Sequence, residues 1–100
     1  MQARFLRPAE SEVAEAIAYF DDRREGLGDR FEKDLRSTVN LIIAYPLSGK
    51  PLTKRVRKSP LRKFQYNVIY VVDEQEIIIL AVAHHRRRPG YWHTRLTEIR

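Results

Sequence analysis

The sequence has no cysteine, and among its 100 residues only four glycines, one tryptophan and one methionine. Without thiols there can be no disulfide, no thiolate nucleophile and no thiolate zinc site, so stability has to come from packing. No apolar run approaches the roughly 20 residues of a membrane span, and residues 1–8 lack the apolar stretch of a secretory signal. A soluble, cytoplasmic protein without membrane partners is expected. There is no internal repeat, no low-complexity linker and no heptad pattern. No nucleophile elbow, phosphate loop or pair of carboxylates accompanies the basic stretches described below.

What is present is charge, unevenly placed. Residues 1–50 carry eight Lys/Arg against nine Asp/Glu, whereas residues 51–100 carry eleven against four, so the formal +6 belongs entirely to the second half. A field of this kind concentrates polyanions or an acidic partner, whereas a solubility device would spread its charge. At this length, 43% hydrophobic content supports one compact domain, 1–100, with a modest core.

The opening "MQARFLRP" reads as a strand closed by Pro8. Val13, Ile17 and Phe20 then mark one face of a helix, with Pro8 in its first turn and Glu10, Glu12 and Glu15 near the positive end of its dipole. Gly26 punctuates, and Leu27, Phe31, Leu35, Val39 and Ile42 form a second helical stripe that Pro46 stops. After a basic, turn-like stretch with a brief strand around Val56, "RKFQYNVIYVV" and "EIIILAVAHH" read as a β-hairpin. The order β–α–α–β–β–β predicts an α+β domain, with an antiparallel helical hairpin packed on a small antiparallel sheet.

Alternation splits the hairpin into two faces. Phe64, Tyr66, Val68, Tyr70 and Val72 form the expected core face of the first strand, and Ile78, Leu80 and Val82 that of the second. The other face is then less covered. Asn67, Ile69, Val71, Ile77, Ile79, Ala81 and Ala83 lie on it, as a trough with an alanine floor that admits a ligand or partner, or as small residues facing solvent. His84 and His85 point apart, which argues against a metal site. His84 suits the core edge, and His85, on the open side, could serve as an acid or base.

Lys54, Arg55, Arg57, Lys58, Arg62 and Lys63 precede the hairpin, and Arg86, Arg87 and Arg88 follow it. Antiparallel pairing would merge the two clusters into one patch that contacts phosphates or an acidic protein. Tyr91 and Trp92 either stack on an unpaired base or pack the tail on the sheet, and Arg95 pairs with Glu98 or a terminal dipole. Metal-free RNA cleavage would have to rest on Arg, Lys, His and Tyr alone, aligning a 2′-hydroxyl on its own phosphate.

Together, the early strand, "EGLGDRFEKDL", "YPLSGKPL", "FQYNVIYVVDEQEIIILAVAHHRRRPGYW" and the closing arginine resemble the RelE/ParE family of type II toxins, or plasmid-stabilisation proteins. The resemblance spans almost the whole chain and implies a toxin neutralised by a cognate, acidic antitoxin, in a toxin–antitoxin hetero-oligomer without cofactor or metal. The antitoxin contacts are expected on the less covered Asn67, Ile69, Val71, Ile77, Ile79, Ala81 and Ala83 face, whose apolar groups would need a partner. RelE-like members are ribosome-dependent mRNA endonucleases. On that branch Lys54, Arg57, His85, Arg87 and Tyr91 would be catalytic, but Asn67 stands in "YNVIY" where an arginine is usual, and His85 replaces a late arginine. "AVAHHRRRPGYW" is closer to the ParE-like branch, associated with DNA gyrase, for which Lys54, Arg55, Arg57, Lys58, Arg62, Lys63, Arg86, Arg87, Arg88, Trp92 and Arg95 would contact the target. A decayed member or a plain nucleic-acid-binding module is the remaining alternative.

Overall fold

The first amides of a helix have no partner inside it and must be satisfied otherwise. In the computed structural model, which describes residues 1–99, each helix meets this need in its own way; Arg100, the closing arginine of the resemblance, lies outside the described residues. The chain runs β1 (Gln2–Phe5), α1 (Arg7–Arg23), α2 (Leu27–Ala44), β2 (Lys50–Pro51), β3 (Val56–Pro60), β4 (Tyr66–Val72) and β5 (Glu76–His84), followed by a 3₁₀ helix over His93–Glu98. Pro8 in the first turn of α1 removes one orphan donor. At α2 the Gly28 N–H donates to Asp21 Oδ1 at 2.8 Å, so α1 itself caps its successor. Between them Gly26 adopts φ 85°, a left-handed turn that a side chain would strain.

The α+β architecture follows the sequence expectation, with one difference in the sheet. Five strands lie in the order β1-β5-β4-β3-β2, and β1 pairs parallel with β5, from Gln2↔Glu76 to Phe5↔Ile79. The sheet is therefore mixed. A parallel pair needs a crossover, and the helical hairpin supplies it by carrying the chain across one face to the far edge.

That face carries the larger core: Phe31, Leu35 and Ile42 of α2 and Ala9 and Ala16 of α1 close over Val68, Tyr70, Ile77, Ile79 and Val82. The expected facing of the last strand is corrected here. Ile69 pairs with Ala81 and Tyr70 with Ile79, leaving Leu80 as the extra residue of a bulge. Below the bulge Ile77 and Ile79 point to the helices and Ile78 away, while above it Val82 takes the helix side. Leu80, Ala81 and Ala83 share the opposite face.

The opposite face is not open either. Leu6, Val56, Ile69, Val71, Ile78, Leu80, Ala81 and Ala83 are buried there beneath Trp92 and Ile99, with Tyr91 and Leu96 packed alongside. Trp92 is only 3% exposed and stacks on His93 at 4.2 Å. Of the two readings of Trp92, packing of the tail is the one realised. Burial of an indole of this size contributes several kcal/mol.

Candidate target-binding cleft

At the end of β5 the strands and the tail leave a concavity. Lys58 stands on β3 opposite Ile69, Asn67 pairs with Ala83, and the His85 N–H donates to Gln65 O at 2.9 Å, extending the ladder by one rung. Lys58, Asn67, His85, Arg87 and Arg88 border a cleft of about 380 Å³ with Ile69 and Ala83 on its floor. Lys58, Asn67 and His85 also line an adjoining hollow of about 650 Å³. His84 turns to an edge contact with Tyr66 at 5.3 Å, and its Nδ1 accepts the Arg86 N–H at 3.0 Å. Among the described residues no group of three His, Asp or Glu side chains is placed to hold a metal.

One wall of the cleft is fixed by a network that the sequence reading did not find. Beyond Ile79, β5 has lost its neighbour β1, so its outer edge needs other partners. Glu12 of α1 accepts the Val82 N–H at 3.0 Å, and Arg95 donates to Leu80 O at 2.9 Å. The two side chains meet in a forked pair, both bonds 2.9 Å, with only 16% of the Arg95 and 12% of the Glu12 side chain exposed. Tyr91 adds its hydroxyl to Glu12 Oε2 at 2.6 Å, and the Arg87 guanidinium lies 3.9 Å over its ring. Burial alone would push the Glu12 carboxyl up, but bonds from Arg95, Tyr91 and the Val82 N–H together hold it below the ordinary value. The Tyr91 phenol is driven the other way, by burial first and then by the facing carboxylate. Glu12 was legible in one respect: it lies three residues after Ala9 and four before Ala16, a carboxylate on the buried stripe.

Several candidate residues fall elsewhere. Arg95, expected near Glu98 or on the target surface, is committed to Glu12. Arg57 points to the helix side of β3, where its Nη1 donates to Leu47 O and Gly49 O at 3.0 and 2.8 Å; it is apart from His85 and from the cleft. Trp92 is buried. Lys54 and Arg55 are exposed on the β2–β3 turn without lining the cleft, and Arg86 is exposed beside it. Tyr66 does pair with His84, so the β3–β4 loop and the end of β5 meet, yet Arg62 and Lys63 border a different cleft, with Arg30 and Lys33 of α2. The single patch is thus two. Of the residues placed on an open antitoxin face, Ile77 and Ile79 lie under the helices, Ile69, Val71, Ala81 and Ala83 lie under the tail, and only Asn67 keeps partial exposure.

The family match assigns this helical hairpin on a five-stranded sheet to a class, the small toxins of type II toxin–antitoxin systems. More narrowly, residues 3–89 match the ParE toxin of the type II toxin–antitoxin system parDE, and the chain belongs to that family. No curated protein matches it in sequence. Among solved structures it shares its fold with a chromosomal ParDE TA system from P. aeruginosa, at a TM-score of 0.73 and 17% identity over 84% of this chain and 95% of that one. The family match ends at residue 89, before Tyr91, Trp92 and Arg95.

Proposed function

We propose that the protein is a non-catalytic inhibitor of DNA gyrase, held in check by an acidic antitoxin. The observation that carries this reading is the state of the cleft. Its cations, Lys58, Arg87 and Arg88, surround an exposed His85, but the two further groups that RNA cleavage would need are committed: Tyr91 gives its hydroxyl to Glu12, and Arg57 binds carbonyls on the opposite face. A binding surface needs charge and shape, and these are there; a general acid–base pair needs free, matched groups. Lys58, Arg87 and Arg88 would grip gyrase or its DNA complex, with Lys54, Arg55 and Arg86 on the rim.

The antitoxin follows from the family and from the positive second half, which attracts an acidic segment able to fold on binding. The apolar contact expected on the strands moves to Leu41, Tyr45 and Leu47 around the end of α2, which are 54, 64 and 68% exposed.

Purified toxin should block supercoiling by gyrase at low stoichiometry, and added antitoxin should restore it. Unchanged supercoiling together with site-specific cleavage of ribosome-bound message would replace this reading by the ribonuclease one, and His85→Ala would then abolish toxicity. Absence of growth arrest on expression would point to an inert binding module.

A further inference from the structure

We infer that the cleft between the first turns of α2 and the β3–β4 loop is a nucleic-acid contact separate from the cleft at the end of β5, one that takes the phosphodiester backbone without reading its sequence. Arg30 and Lys33 stand on one side and Arg62 and Lys63 on the other, around a volume of about 670 Å³. All four side chains are exposed, and no carboxylate of a described residue forms an ion pair with any of them. The one acid lining the cleft, Asp34, is buried, and its two oxygens accept the Arg62 and Lys63 N–H groups at 3.3 and 2.8 Å. Asp34 therefore fixes the loop that presents the cations. Four exposed cations around one carboxylate leave a local excess of positive charge that attracts an anion.

The chemistry favours phosphate over an acidic peptide. Arg clusters also attract acidic peptides, but a peptide is held in register by main-chain bonds or apolar anchors. Here the loop amides of Arg62 and Lys63 are already used, and Phe64 is packed against Phe20 and Phe31 at 4.9 and 5.3 Å. What remains to a ligand is cationic side chains, the way proteins hold the backbone of a nucleic acid rather than its bases. The site shares no residue with the cleft at the end of β5, so it does not rest on gyrase being the target.

Fluorescence anisotropy over a salt series, with a short DNA duplex and a single-stranded RNA as separate probes, tests this. The variant Arg30→Gln/Lys33→Gln/Arg62→Gln/Lys63→Gln should bind at least about tenfold more weakly, with the salt slope shallower by about one per cation removed. The charge-matched control Arg7→Gln/Arg23→Gln/Arg24→Gln/Arg36→Gln should stay within about twofold of the parent. Binding lost by one probe or both in the first variant alone supports the site, and the stronger probe identifies its source. Equal loss in the two variants, or no binding of either probe, overturns it. So does polyglutamate that binds more tightly than nucleic acid and is lost with the same four residues. Thermal melts check folding, and the milder Lys63→Gln should by itself lower the slope by about one.

Discussion

At the scale of single residues, Glu12 decides more than its place in the sequence suggests. It satisfies an unpaired strand amide, holds Arg95 and orients Tyr91. Because its folded pKa lies below the ordinary 4.5, the ionised form contributes stability that is complete above that value and is lost as pH falls through the lowered folded pKa. Melting temperature measured against pH should therefore drop in that acid window, and Glu12→Gln, destabilised at neutral pH, should show a shallower acid slope. Tyr91→Phe removes one bond to a charged group and should cost about 1–3 kcal/mol in urea unfolding. In the non-catalytic reading it leaves gyrase inhibition intact, so inhibition by refolded Tyr91→Phe separates a wall from a reacting group. Arg57 shows how far parity reached: its neighbour Lys58 faces the cleft, so alternation along β3 already excluded one of the pair, though not which.

Among elements, the helices and the long hairpin were legible because their periodicity is unbroken: Phe31, Leu35, Val39 and Ile42 recur at helical spacing, and Tyr66, Val68 and Tyr70 at strand spacing. β5 was misfaced because "IIIL" contains no polar residue to mark a change of side, so the bulge at Leu80 left no trace in composition. The tail was underread for the opposite reason. Packing of Tyr91 and Trp92 on the sheet was one of the two readings offered, but Leu96 and Ile99, apolar side chains in a polar stretch spaced with Trp92 as one face of a helical turn, were not recognised as part of it. Trp92→Ala should cost about 3–5 kcal/mol, read from urea unfolding. A chain ended after Pro89, which keeps the family-matched segment, should expose the second sheet face and bind a hydrophobic dye that the parent does not.

For the molecule as a whole, the sequence located the net charge in the second half but neither its division between two clefts nor the share that Arg30 and Lys33 of the first half take in one of them. That division depends on which face each strand residue takes and on Asp34 holding the β3–β4 loop. Lys58→Gln with Arg88→Gln should shift the melting free energy by no more than about 0.5 kcal/mol, since both are surface positions, while lowering gyrase inhibition in the supercoiling assay. The order of the chain adds a consequence of the tail-covered sheet. Synthesis is vectorial, so β4 and β5 leave the ribosome ahead of Trp92 and Arg95, the residues that shield them. During that interval a nascent chain presents a bare, strand-rich surface, and whatever protein is waiting at the ribosome exit meets a form that the finished toxin conceals.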